Sequence, residues 1–97
     1  MIVDSFKHYY LITYDLNTAG YDYSLLYNEI KNLGEYYHPM DRMWIVYSEF
    51  SQDRIASRLQ KCMNLNNDRV FVAEVRPAAS QGWLGTKFWQ WFNSEKK

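Results

Sequence analysis

Hydrophobic residues in this chain form four short runs that are typical of β-strands, separated in two places by segments with helical spacing. The first run, residues 9–14, reads YYLITY and is almost free of polar side chains, as in a strand buried on both faces. The other runs cover 35–38, 43–48 and 69–75, and the last two are rich in residues that favour strands. A short turn at 39–41 joins the second run to the third and predicts an antiparallel hairpin.

Two segments carry apolar residues three or four positions apart, which predicts helices with one buried face. The first helix is expected to begin near Asp22 and to stop at Gly34, and the second is expected to begin at Ser51, since these residue types favour helix ends. The residues predicted to be buried by the two helices are Leu26, Ile30, Leu33, Ile55, Leu59 and Cys62.

The order strand, helix, strand, strand, helix, strand is the split βαβ, or ferredoxin-like, pattern. We therefore predict an α+β fold, βαββαβ, with two helices on one face of an antiparallel sheet and a C-terminal extension. The 97 residues are expected to form a single domain, with a core at about 8–76 and an appendage at 77–97 that includes a short helix at 86–92. The other sheet face carries no helix in this pattern, so we expect it to contact another subunit, together with segment 76–92.

The high aromatic content indicates that some aromatic side chains lie at a subunit interface or a ligand-binding surface rather than in the core. Nine Tyr, five Phe and four Trp are more large rings than so small a domain is expected to hide. Eleven basic and eleven acidic residues give a formal net charge of zero, which favours self-association and therefore a homodimer. Zero net charge also argues against nucleic-acid binding through bulk charge, although it leaves room for a local basic stripe.

Other features narrow the class of protein. The single cysteine, Cys62, rules out an internal disulfide and argues against a cysteine-based zinc site, and its place on an apolar helix face favours a core position. No apolar run of membrane-spanning length occurs, and residues 1–10 do not resemble a signal peptide. We expect a cytoplasmic protein without a membrane partner.

Asp15 is the residue that most indicates chemistry. It directly follows the first strand run, in Tyr14-Asp15-Leu16-Asn17. A carboxylate held at the end of a strand can bind a divalent cation against a phosphate. The structural alternative is that Asp15 caps the turn or pairs with a nearby cation. One aspartate is a small ligand set for Mg²⁺, but waters and the same residue of a second copy can complete it.

The predicted second helix carries a basic ridge of Arg54, Arg58 and Lys61, which could follow a phosphate backbone. The alternative is an ordinary solvated helix face. Three aromatic residues lie near the predicted hairpin: Tyr36, Tyr37 and Trp44. They could stack on nucleic-acid bases, and the alternative is that they are buried in the core.

Five segments of the chain together resemble a known family. The segments are YYLITYDLN at 9–17, DYSLLYNEIKNLG at 22–34, YYHPMDRMWIV at 36–46, NNDRVFV at 66–72, and Gly82-Trp83. They are similar to a stand-alone, CRISPR-associated-like branch of small ferredoxin-like metal-dependent nucleases. The parent family is the smaller of the two spacer-acquisition proteins of CRISPR systems, and the VapD toxins are relatives of the same fold.

The resemblance implies a homodimer whose two sheets face each other, with Asp15 of each subunit near the two-fold axis and one divalent cation, Mg²⁺ or Mn²⁺, between them. It implies RNase or DNase activity in some members and a structural DNA-bridging role in others. The chain differs from the parent family at 40–44, where MDRMW replaces a Gln-x-Ser-Val-Phe pattern, and in the loop after Asp15, which lacks a basic cluster.

Three functions remain open at this point. The first is a metal-dependent endonuclease for RNA or DNA, in which Asp15 holds the metal, Asn17 orients a phosphate or water, and basic side chains position the backbone. The second is a non-catalytic dimeric scaffold that binds nucleic acid or a protein partner. The third is a toxin-like ribonuclease with a paired antidote. The basic candidates for nucleic-acid binding are Arg42, Arg54, Arg58 and Lys61.

Overall fold

The computed structural model describes residues 7–94 and Lys96. It confirms the predicted α+β fold and the order of its elements. A 3₁₀ turn, Pro77–Ala79, leads to the last helix. The strands and helices in chain order are β1 (His8–Asp15), α1 (Ser24–Lys31), β2 (Glu35–Met40), β3 (Met43–Ser48), α2 (Gln52–Gln60), β4 (Arg69–Val75) and α3 (Thr86–Phe92).

The four strands form one antiparallel sheet in the order β2-β3-β1-β4, which is the ferredoxin-like arrangement. The central strand β1 pairs with β3 on one side and β4 on the other. His8 lies opposite Ser48 at one end of the sheet, and Asp15 lies opposite Arg69 at the other end. The register therefore sets the start of β4 beside Asp15.

The hairpin differs from the sequence prediction at its turn. Strand β2 continues to Met40, with an irregular register between Tyr37 and Met40, so the turn falls at Asp41 and Arg42 rather than at 39–41. Pro39 has no N–H to donate to a ladder, and it is tolerated here because β2 is an edge strand of the sheet.

Two local signals act as the sequence predicts. The Ser51 hydroxyl accepts a hydrogen bond from the Arg54 N–H at the start of α2. Gly34 follows α1 with a positive φ of 153°, and a Cβ at this position would collide with the Tyr47 carbonyl oxygen. The chain can enter β2 this close to β3 because residue 34 is glycine.

The first face of the sheet packs against α1 and α2 and forms the main core. The predicted helix residues lie in it, and alternate residues of the strands complete it. Cys62 packs against its margin, half-buried. The fully or almost fully buried side chains of this first core include Tyr10, Ile12, Leu26, Ile30, Leu33, Trp44, Val46, Ile55 and Leu59.

The second face is not free of helices, which corrects the sequence prediction. Helix α3 packs on it and buries Phe88 and Phe92 against Tyr9 and Ile45. The physical reason is the spacing of large rings on α3, which gives this short helix one strongly apolar side. The segment predicted as an appendage therefore supplies a second core within the same chain.

Helix α3 covers only part of the second face. Toward the Asp15 end of the sheet, the side chains of Phe71 and Met40 are 62% and 53% exposed. Asp15 and Arg69 are exposed there as well. We call this region, defined by Asp15, Arg69, Phe71 and Met40, the open half of the second face.

None of the helices in the described part of the chain has the length and apolar character that a membrane crossing requires.

Candidate functional site

Asp15 lies at the end of the central strand, as predicted, with its side chain exposed. Within residues 7–94 and Lys96, its carboxylate makes no ion pair, and no hydrogen bond to it is found. Arg69 is its partner across β1 and β4, so the two side chains are on the same face of the sheet. They border a shallow depression of about 250 Å³ that Thr13 and Phe71 also line. The structural alternative, in which Asp15 caps the turn or pairs with a nearby cation, is therefore not favoured.

A different aspartate organises the loop that follows Asp15. Asp68 is 2% exposed and precedes β4. Its Oδ1 accepts hydrogen bonds from the Asn17 N–H at 2.8 Å, the Tyr23 hydroxyl at 2.8 Å and the Thr18 hydroxyl at 3.1 Å. Its Oδ2 accepts one from the Asn64 N–H at 2.9 Å. One carboxylate thus joins the loop after β1 to the loop before β4.

The electrostatics of Asp68 match this role. Burial alone would raise its pKa, but the four hydrogen bonds together outweigh burial and lower the pKa below the usual value of 3.8. Asp68 is therefore ionised at neutral pH and fully used by the fold. Sequence reasoning missed it, because residues 64–68 read only as a polar turn and the partner loop lies about 50 positions away.

Asn17, predicted to orient a phosphate or water, is part of the same loop junction. Its backbone N–H binds Asp68, and its side-chain amide donates to the Asn67 carbonyl at 3.2 Å. Asn17 lies next to the Asp15 end of the sheet, but its amide N–H group is used to hold the loop. The loop that carries it is rigidly attached to the start of β4.

Arg42 lies at the same end of the sheet as Asp15. It occupies the β2–β3 turn with its side chain exposed, and its carbonyl accepts a hydrogen bond of 2.7 Å from the Thr13 hydroxyl, two residues before Asp15. A shallow depression of about 480 Å³ runs beside Arg42, Thr13 and Met40. The structure therefore places one predicted basic side chain next to the strand that ends in Asp15.

The basic ridge on α2 is not brought together with Asp15. Arg54 lies in the first turn of α2, which follows β3 at the His8 end of the sheet. Arg58 pairs with Glu29 of α1, and both arginines lie over the ring of Phe50. Lys61 follows α2 and is exposed. The phosphate-binding ridge stays a prediction, and the Arg58 guanidinium in it already takes part in an ion pair between helices.

Packing accounts for Trp44, Tyr37 and Cys62, whereas Tyr36 is 40% exposed. Trp44 is 2% exposed, its indole N–H donates to the Tyr14 hydroxyl at 3.0 Å, and His38 stacks on it with ring centroids 3.9 Å apart. It therefore presents no face to a base. The Cys62 thiol donates to the Arg58 carbonyl at 3.7 Å, and burial raises its pKa, so it is a packing residue rather than a nucleophile.

The described residues hold no group of three or more His, Cys, Asp or Glu side chains that could bind a metal ion. Asp15 alone offers one carboxylate. Mg²⁺ and Mn²⁺ prefer oxygen ligands, and Mg²⁺ is often bound by one or two carboxylates together with waters. The donor chemistry therefore fits such a cation if a second copy of the chain contributes its own Asp15.

Comparison with known proteins supports the fold alone. No family model matches the sequence, and no curated protein matches it. Among solved structures, the crystal structure of a hypothetical protein, TT1823 from Thermus thermophilus, superposes with a TM-score of 0.55 at 19% sequence identity. The match covers 71% of this chain and 82% of the other.

Proposed function

We propose that this protein is a homodimeric, nucleic-acid-associated endonuclease of the small CRISPR-associated type, which hydrolyses phosphodiester bonds of RNA or DNA with Mg²⁺ or Mn²⁺. The observation that carries the proposal is the Asp15 carboxylate. It lies exposed at the end of the central strand, on the open half of the second face, with no ion pair in the described part of the chain.

The homodimer is supported by the character of the open half. Phe71 and Met40 are large apolar side chains that are more than half exposed, and such a surface favours association. Asp15 and Arg69 lie opposite each other in the register, so the surface carries both signs of charge. Two such surfaces can meet around a two-fold axis that brings the two Asp15 side chains close together.

A second copy also completes the ligand set. Two carboxylates brought close together repel each other unless a cation lies between them. A divalent cation bound there would lower the pKa of a water molecule and neutralise charge that develops on a phosphate. Asp15 holds its position because it pairs with Arg69 of β4, and Arg42 lies at the same end of the sheet to contact a phosphate.

The test uses purified protein, end-labelled single-stranded RNA and DNA, and buffers with Mg²⁺, Mn²⁺ or EDTA. We expect the wild type to cleave only with metal and Asp15→Asn to cleave at least about 100-fold more slowly, since losing even an outer-shell partner of a metal costs roughly 10–100-fold. Asp53→Asn, which removes an exposed carboxylate from α2, is the matched control and is expected to cleave like the wild type.

Cleavage that persists in EDTA, or that is unchanged in Asp15→Asn, would rule out this site. Cleavage of RNA alone would favour the toxin-like ribonuclease within the same proposal. Activity is measured in each fraction across the size-exclusion peak for both variants. The activity of a contaminating nuclease would not rise and fall with the protein concentration, and it would not change with the substitution.

The alternative is a non-catalytic dimeric scaffold that binds nucleic acid or a protein partner. It is favoured by one observation, the absence of a metal-binding group of three side chains within the described residues. The scaffold predicts binding of labelled RNA or DNA that is equal with Mg²⁺ and EDTA, no cleavage, and no loss of binding in Asp15→Asn. Loss of binding in Arg42→Gln alone would locate that contact at the β2–β3 turn.

A further inference from the structure

Trp83 is the most exposed large hydrophobic side chain in the described part of the chain, at 99%. It lies in the loop between the 3₁₀ turn and α3, with Gly82 before it and Gly85 two residues after it. A tryptophan offers 150–250 Å² of mostly apolar surface, and tryptophans are enriched among the residues that dominate binding energy at interfaces. A side chain of this kind, exposed to this extent, has the character of an interface anchor.

An apolar groove of about 440 Å³ lies between α3 and the second face of the sheet, and Trp83 lies at its border as one of the lining residues. Leu11, Met43 and Ile45 of the sheet line it, together with Trp89 of α3. Leu11, Met40 and Met43 also line the depression beside Arg42, so the groove is continuous with the open half of the second face. The groove and the open half therefore form one surface.

We propose that Trp83 is the anchor of the homodimer and that it inserts into this groove on a second copy of the chain. The inference rests on the proposed homodimer and names the contact that holds it together. A second copy is the favoured occupant because one surface of the chain carries both the anchor and its receptor. A two-fold interface needs that combination, since each copy then inserts Trp83 into the other.

Charge supports the same occupant. The chain has a formal net charge of zero, so two copies meet without overall repulsion. Asp15 and Arg69, on the adjoining open half, carry opposite charges, so two copies of this surface can meet without an excess of one sign of charge. An unrelated partner would have to supply both an apolar anchor and this charge pattern.

The first experiment measures the dimer dissociation constant of the full chain by sedimentation and light scattering over a concentration series. Truncating an anchor tryptophan typically raises a dissociation constant by about 30-fold or more, and the dimer contains two, so we expect roughly a 1,000-fold rise for Trp83→Ala. Leu65→Ala removes another large exposed side chain, 56% exposed, and is expected to change the constant by less than about threefold. Melting curves check that both variants fold.

The second experiment mixes two defective variants. Trp83→Ala removes the anchor but keeps the parts of the groove that the sheet and α3 form, and Met40→Lys places a charge in the groove but keeps Trp83. In a dimer of either variant alone, both Trp83–groove contacts are damaged. In the mixed dimer, Trp83 of the Met40→Lys chain can insert into the uncharged groove of the Trp83→Ala chain, so one contact remains. We expect the mixed dimer to form at least about 30-fold more tightly than either parent.

The outcomes separate the two proposals. A wild-type chain that stays monomeric at tens of micromolar overturns both the homodimer and its anchor. A wild-type dimer that Trp83→Ala leaves unchanged overturns only the anchor, as does a mixture that associates no better than its parents. A wild-type dimer lost in Trp83→Ala and regained in the mixture supports the assignment.

Discussion

The two faces of the sheet are closed in different ways, although β1 contributes alternate residues to both. The first face is covered by α1 and α2, and Ile12, Leu26 and Ile30 in this core have no exposed surface. The second face is covered by the seven-residue α3, which packs mainly through aromatic rings and leaves one half open. In the chain, α1 lies between β1 and β2 and α2 lies between β3 and β4, whereas α3 is joined to β4 through the 3₁₀ turn and a loop.

We expect the first face to determine the stability of the fold and the second face to contact partners. The side chains of the first core are almost completely buried, so we expect this core to set the global stability. A face closed by one short helix can open locally and can present groups to a partner. Asp15 shares its side of β1 with Tyr9, so alternation along the strand places the candidate site on the second face.

The largest expected effect is a truncation in the first core. Ile30→Ala should lower the free energy of unfolding by about 2–5 kcal/mol, because Ile30 has no exposed surface and the cavity cannot collapse fully. Leu25→Ala on the same helix removes a side chain that is 69% exposed and should cost less than about 0.5 kcal/mol. Urea unfolding at neutral pH measures both, and equal effects would mean that the buried face of α1 is misassigned.

A truncation in the second core should cost less. Phe88→Ala leaves a cavity under α3, but a short helix can detach instead of straining, so we expect a loss of about 3 kcal/mol at most. Native-state hydrogen exchange is the sharper measurement. Amides of α3 should exchange through local opening, whereas central amides of β1 should exchange only through global unfolding. Identical exchange free energies for α3 and β1 would show that the two faces unfold together.

Sequence patterns predict most of the fold because local signals and global topology agree here. The apolar period of α1, the Ser51 cap and the β-forming run at Met43–Ser48 each point to the observed element. The order of the elements then indicates the ferredoxin-like topology, and strand alternation indicates which residues face α1 and α2. Asp15 could be singled out because it ends an apolar run.

Other features depend on contacts that no local pattern encodes. The docking of α3 on the second face, the ion pair of Arg58 with Glu29 and the junction at Asp68 each join distant parts of the chain. A pattern of polar residues around Asp68 predicts a turn, but only the folded structure brings Asn17 within hydrogen-bond distance. The candidate site was therefore predictable at Asp15 and not in its supporting loop.

The Asp68 junction gives a prediction for acid stability. Because the folded state lowers the pKa of Asp68, its stabilising contribution is present above the usual carboxyl value of 3.8 and is lost as the pH falls through the lowered pKa. Asp68→Asn should lower stability at neutral pH and should weaken the loss of stability between about pH 5 and pH 2. Urea midpoints across that range measure this, with Glu49→Gln, an exposed carboxylate, as control. An acid transition as steep as that of the wild type would contradict the assigned role.

The smallest effects come from two tyrosines of β1 that are equally buried, at 8% exposure, on opposite faces. On the first face, the Tyr14 hydroxyl accepts a hydrogen bond from the Trp44 indole, so Tyr14→Phe leaves a buried N–H unpaired and should cost about 1–2 kcal/mol. On the second face, the Tyr9 hydroxyl is buried without a hydrogen-bond partner among the described residues, and burial, with Tyr47 and Glu35 nearby, raises its pKa to about 12. Tyr9→Phe removes that unpaired group and should leave stability unchanged within about 0.5 kcal/mol or raise it. Paired urea unfolding curves of the two variants measure the difference. A loss in Tyr9→Phe as large as that in Tyr14→Phe would mean that the second face holds a polar contact for Tyr9, and that the two faces are less different than their packing indicates.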